Sequence, residues 1–251
     1  MMAFLYAGAG TLFTFIFTAL GAAMVFCFRK HTLDGRSHLF LSFAAGVMIA
    51  ASIFSLILPA MEQASALHQP PLLICMAGLV LGTAFMVLLD GPCRRGIGQL
   101  HGGTALTYLS ITLHNIPEGM AVGLSFALAA GNSALLMGAV TLALGIALQN
   151  FPEGAAVSLP LCKVGFSRKK AFLFGTLSGA VEPLFGIFAV LFASRVQFLL
   201  PLLMTFSAGA MLYVTFREAI PDAAAEDPSP RPALLIMLGF LIMTCMDVAL
   251  G

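Results

Sequence analysis

Eight stretches of about twenty or more mainly apolar residues follow one another along the chain, at roughly 3–28, 38–62, 71–90, 104–131, 132–160, 170–194, 197–220 and 232–250. About 20 apolar residues are what a helix needs to cross the hydrocarbon core of a bilayer. Eight such runs in 251 residues leave only short connections. The expected fold is therefore all-α: a polytopic membrane protein of eight transmembrane helices in one bundle, with 1–251 forming a single transmembrane domain. Charge agrees with this, since Asp, Glu, Lys and Arg make up 9% of the chain, against roughly 25% in an ordinary soluble domain.

Charged and turn-forming residues mark the breaks most clearly at RKHTLDGRSH (29–38), GPCRRGIGQLHGG (91–103), CKVGFSRKK (162–170) and PDAAAEDPSPRP (221–232). The break between the fourth and fifth runs falls near AAGNSA (129–134). The first run has no basic residues ahead of it and no cleavage-like site, so it is expected to be a retained span and not a signal peptide. Basic residues near a membrane stay on its cytoplasmic side. Alternating the loops puts Arg29, Lys30, Arg36, Arg94, Arg95, Lys163, Arg168, Lys169, Lys170, Arg217 and Arg231 together, with Arg195 opposite. The expected location is a multi-pass plasma (inner) membrane protein with both termini on the non-cytoplasmic side. Topology explains the basic residues, so they give no reason to expect a nucleic-acid partner.

The five cysteines have no CxxC spacing and their number is odd, so no disulfide or thiolate site is expected. Gly78 with Gly82, and Gly175 with Gly179, have the GxxxG spacing that lets helices approach closely.

Most of the eleven acidic residues sit in or beside loops, where water accounts for them. Glu118, Glu153 and Glu182 lie well inside apolar runs, with no lysine or arginine at matching depth. A charged side chain at the centre of a membrane helix costs at least about 2.5–3.5 kcal/mol, so such residues face the bundle interior and mark a pathway. Three of them need a cation, a proton or a partner.

Two of the three belong to a repeat. HNIPEGMAV begins at His114 and QNFPEGAAV at Gln149, 35 residues later. His114 and Glu118 are four apart and so stack on one helix face, as do Gln149 and Glu153; Asn115 and Asn150, three before each glutamate, lie beside that face. Two such helices packed together would enclose nitrogen and oxygen donors suited to a divalent transition metal. Pro117 and Pro152 cannot donate a backbone hydrogen bond, so the carbonyls of Leu113 and Leu148 are released and a kink is expected. Irregular backbone at membrane depth is tolerated where it lines a cavity.

On HNIPEG, QNFPEG and the glutamate of GAVEPLFG (180–187) the chain resembles the ZIP family of divalent metal transporters, in a short, prokaryotic-like form. The resemblance implies eight helices with both ends outside the cytoplasm and a metal site between the fourth and fifth. It implies His114, Glu118, Gln149 and Glu153 as the primary site, and Asn115, Asn150 and Glu182 for an adjacent second ion, with the two motif glutamates bridging. Departures are Gln149 where many members have histidine, Arg217 where histidine commonly precedes the glutamate of REAIPD, and a third loop whose one histidine is His101. The first casts the primary site in a harder mould, and the second puts a cytoplasmic-side site at Glu218 in doubt.

The function implied is transport, not catalysis. The cargo is Zn2+, with Fe2+, Mn2+ or Cd2+ as further candidates, moved toward the cytoplasm through a site that takes two adjacent ions. Expected partners are those ions and the lipid bilayer, with a homodimer left open. Two alternatives remain: a membrane carboxylate oxidase, which usually needs more histidines at depth, and a metal sensor that shares the site without transport. An intramembrane metalloprotease would need HExxH, which the sequence lacks.

Overall fold

The computed structural model describes residues 1–27, 30–95, 100, 102–130 and 133–250. Arg29, His101 and the centre of the break at Gly131 and Asn132 lie outside the described residues.

Eight long rods account for the described chain. α1 comprises Met2–Ala22 and Met24–Cys27. α2 runs through Lys30–Ala51, a π-helical stretch at Ser52–Ile57, and Leu58–Ala66. α3 is Pro71–Arg95, α4 Gly102–Ala129 and α5 Ser133–Lys163. α6 joins Arg168–Gly179 to Val181–Leu191. α7 is Ala193–Val214, a second π-helical stretch at Thr215–Ala219, and Ile220–Glu226. α8 is Arg231–Leu250. Among the described residues, seven helices are long and apolar enough to cross a membrane by length and composition. α4 is of spanning length too, and what sets it apart is the polar set His114, Asn115 and Glu118 at its middle.

The rods overrun the expected boundaries where the polar flanks carry no strong helix breaker. α2 already begins at Lys30, and α7 continues to Glu226 because Pro221 falls in the first turn of its last segment, where a proline's missing N–H is not needed.

The helices sort into two groups. α1, α4, α5 and α6 pack on one another, and α2, α3, α7 and α8 do the same. Glycine sets the spacing in both, and the two GxxxG pairs are part of it. A Cβ on Gly154 would overlap the Thr18 carbonyl and one on Gly119 the Glu182 backbone. In the second group Gly82 meets the Phe206 carbonyl, and Gly46 that of Ile236. Gly78 lies against Thr205, while Gly175 and Gly179 lie against Ala22 and Thr18. Helices in lipid gain no hydrophobic driving force from each other, so this close backbone packing supplies much of the cohesion. Large apolar side chains such as Leu73, Met76, Val80 and Leu88 face outward from α3.

The groups touch where α4 and α5 meet α2, α3, α7 and α8. A polar bond crosses there: Ser207 of α7 donates to the Leu113 carbonyl at 3.2 Å. That is the carbonyl Pro117 frees, so α4 stays helical through its proline because another helix satisfies the released group. α5 likewise stays α-helical through Pro152. The π-helical stretches fall elsewhere, each spanning the residue four before a proline: Ser55 before Pro59 and Arg217 before Pro221. A proline ring crowds that carbonyl, and one extra residue in the turn relieves the clash.

Candidate metal centre

The seven residues singled out from the sequence come together in the middle of the first group, all between 0 and 2% exposed. Four-residue spacing aims His114 and Glu118 off α4 toward α5, and the same spacing aims Gln149 and Glu153 back. His114 Nε2 lies 3.1 Å from Glu118 Oε1 and 3.3 Å from Glu153 Oε1. One donor atom from each of these three residues falls within 4.8 Å of the others.

These separations are compatible with an ion pair as well as with donors that share an ion. A charge-assisted N–H···O bond is usually about 2.7–2.9 Å, and the contacts of His114 Nε2 with the two carboxylates are longer than that. In a tetrahedral zinc site with bonds of about 2.0–2.2 Å, neighbouring donors sit about 3.3–3.6 Å apart. Glu118 Oε2 and both oxygens of Glu153 are buried without a hydrogen-bond partner. Buried carboxylate oxygens are costly in that condition, and among the described residues no lysine or arginine forms an ion pair with them.

Gln149 stands at the same end, with both polar atoms engaged. Its Nε2 donates to Glu118 Oε1. Its Oε1 accepts from Ser55 of α2 at 2.9 Å, and the same hydroxyl lies 2.9 Å from Asp247 Oδ1 of α8. The amide orientation follows from the carboxylate, which needs a donor facing it.

The second end is built on Asn115, Asn150 and Glu182. Asn115 donates to the Ser178 carbonyl at 2.9 Å. Asn150 donates to the Thr14 carbonyl at 3.3 Å and to Glu182 Oε1 at 2.9 Å, while Thr18 donates to that same oxygen at 3.2 Å. With the amide nitrogens so occupied, Asn115 Oδ1, Asn150 Oδ1 and Glu182 Oε2 are left without hydrogen-bond partners. Oxygen donors without protons suit a hard or borderline divalent cation.

A cavity of about 1130 Å³ runs from the end where α2 and α4 finish, past Glu62 and Gln63, to Ser55, Glu118 and Asp247 at its floor. Glu218 does not join the cluster. It lies against Gly103, about 22 Å along α4 from Glu118 at 1.5 Å per residue. The neighbouring Arg217, half exposed, pairs with Asp90 at 3.6 Å.

Reading the sequence missed Ser55, Asp247, Thr14 and Thr18. Thr11, Thr14 and Thr18 form a buried polar stripe on an otherwise apolar α1, with spacings of three and four, and that pattern was available. Asp247 sits near the end of the last apolar run, where solvation explains a carboxylate without a site.

The profile of the family described as ZIP Zinc transporter matches residues 94–247. The human protein named Zinc transporter ZIP11 is 34% identical over 336 aligned positions, covering 96% of each chain. Zinc transporter ZIPB of Bordetella bronchiseptica is 36% identical, covering 98% of this chain and 82% of its own. Zinc transporter GufA of Myxococcus xanthus is 38% identical over 79% of this chain and 81% of its own.

Proposed function

Because this chain belongs to the ZIP zinc transporter family, we propose that it carries zinc across the membrane toward the cytoplasm through the cluster between α4 and α5. His114, Glu118, Gln149 and Glu153 take the first ion. Asn115, Asn150 and Glu182 take a second, with Glu118 and Glu153 bridging the two.

The observation that carries this reading is the set of buried carboxylate oxygens on Glu118 and Glu153 without hydrogen-bond partners, gathered around the imidazole nitrogen of His114. A divalent ion there would offset the negative charge and satisfy those atoms together. The cavity supports a route, since Glu118 lies in its lining together with Ala66 at the end of α2 and Leu128 near the end of α4. The distribution of lysine and arginine supports reading that side as the non-cytoplasmic face of a plasma (inner) membrane, with both termini on it. An ion entering there sheds water at Glu118, is held at mid-membrane, and leaves when the helices rearrange to open the site on the other face. The imidazole favours zinc, while the oxygen-rich remainder admits iron, manganese and cadmium as well.

Flux decides between a carrier and a sensor. Purified protein in lipid vesicles is expected to admit external zinc to a trapped fluorescent indicator, with manganese, iron and cadmium competing. Vesicles that bind zinc without admitting it would replace transport with sensing.

A further inference from the structure

We propose that Gly138 and Gly145 of α5 are landing positions for the apolar wall that the second helix group gives the cavity, and that this wall closes onto them once an ion has passed to the buried site. This rests on the reading above, in which the ion reaches Glu118 and Gln149 through that cavity.

Six glycines show what the residue usually does in this bundle. A Cβ on Gly21, Gly46, Gly82, Gly119, Gly154 or Gly209 would overlap the backbone of another helix. Gly138 and Gly145 have no such neighbour. Both lie inside α5, and a Cβ on either would meet nothing within 4 Å among the described residues. Neither has a positive φ, so no turn requires them. A glycine inside a helix is less favourable than alanine, and in the arrangement seen here nothing offsets that.

Where they point supplies the reason. Gly138, Gly145 and Gln149 are spaced by seven and by four, so they share one face of α5. The two glycines line the cavity, and Gln149 is buried one turn beyond Gly145. Glu118, 2% exposed and with Oε2 unpartnered, lies in the same lining, so the space leads to the ion site. From the second helix group, Leu58 of α2 with Leu200 and Met204 of α7 line it as well. An ion held at the site must be cut off from the side it came from before the other side opens. Bringing these apolar side chains against α5 does that, and two glycines two turns apart leave a low strip on which another helix can come close. In the closed arrangement Gly138 and Gly145 take the part that Gly119 and Gly154 take here.

The test adds side chains at positions that are open in this structure. Gly145→Leu should fold and bind zinc like the parent, because its side chain enters open space. Zinc uptake into vesicles should fall by about tenfold or more, since closing would overpack the contact. Gly145→Ala should raise the melting temperature, as alanine does inside a helix, and still slow uptake, by less. Thr141→Val, of equal size on the same wall, should transport like the parent.

Two rates separate closing from plugging: capture of zinc by purified protein from a fluorescent indicator, and initial uptake at matched membrane expression. Parent-like capture with slowed uptake in Gly145→Leu is the expected result. Parent-like uptake overturns the proposal, and so does capture slowed as much as uptake, which would make Gly145 part of the entrance alone. Should the leucine variant fail to fold, the alanine variant decides on the same two rates. Glu118→Ala in the same series keeps the two ideas apart. If it loses capture while Gly145→Leu transports normally, the closing alone is wrong; if Glu118→Ala transports normally, the buried ion site is wrong.

Discussion

At one end of the buried cluster His114 faces Glu118 and Glu153, which leave three carboxylate oxygens without a hydrogen-bond partner; at the other, Thr18 and Asn150 both donate to Glu182, and the oxygens left over are two amide oxygens and one carboxylate oxygen. The same motif builds both ends, one residue apart along each helix. The difference lies in what the neighbouring helices supply. α1 and α6 bring hydroxyls, carbonyls and Glu182 to the asparagine end, so its amides are aimed before any ion arrives. The histidine end meets the cavity and Ser55, and its carboxylates are left for an ion to neutralise. An end with unspent charge is expected to bind first and tightly, and an end fixed by hydrogen bonds to bind second and weakly. Charge counting agrees: two divalent ions bring four positive charges, and Glu118, Glu153 and Glu182 supply three negative ones.

The largest effect should come from the open end. Glu118→Ala or Glu153→Ala leaves a desolvated ion without its counter-charge. Breaking a buried charge pair costs about 3–5 kcal/mol, so uptake should fall by about a hundredfold or more with the protein still in the membrane. Wild-type uptake by either variant at matched surface expression would erase the distinction between the ends.

Glu182→Gln tests the other end with the shape kept. Loss of one charged partner is worth about 1.5–3 kcal/mol, so the second ion should bind at least about tenfold more weakly while the first is unaffected. In anomalous diffraction at limiting metal, the parent should show one full and one partial ion. Two equally occupied positions in the parent would show that the ends do not differ.

Gln149 belongs to the open end but is the member with a neutral, hard oxygen. Gln149→His should shift preference toward zinc, because imidazole nitrogen favours it over manganese and iron. Excess manganese should then compete less well against zinc uptake than in the parent. An unchanged competition curve would take Gln149 out of the ion's contacts and leave it as a hydrogen-bond partner of Glu118 and Ser55.

How much of this could be read from the residues depended on whether the signal was local. The runs of apolar residues and the i, i+4 spacing of His114 with Glu118 are properties of one helix, and both carried through to the structure. The GxxxG pairs were legible as a pattern, though not which helix each would meet. Ser55, Asp247 and Thr18 were not read as site residues because each acts through a helix more than 90 positions away in the chain, and nothing in SIFSLILP or CMDVAL marks a partner in α5. Pro117 does free the Leu113 carbonyl, but Ser207 takes it up and α4 stays α-helical, while the irregular turns form ahead of Pro59 and Pro221.

The smallest effect should come from Thr18, and it sharpens the comparison most. Its hydroxyl donates to Glu182 Oε1 at 3.2 Å, and the Asn150 amide donates to the same oxygen at 2.9 Å. Thr18→Val keeps the β-branched shape against Gly179 and removes only the hydroxyl. Glu182 would remain bonded to Asn150, so its carboxylate should stay near its place with less restraint on the direction of Oε2. One hydrogen bond between membrane helices averages about 0.6 kcal/mol, which is roughly threefold in affinity. That loss should fall on the second ion, because the Thr18 hydroxyl donates to Glu182. Stepwise calorimetry on purified protein should therefore find the tight site unchanged and the weak site about threefold weaker. Equal weakening of both would mean that the ends share one restraint through Glu118 and Glu153, and that α1 holds the whole cluster and not its asparagine half.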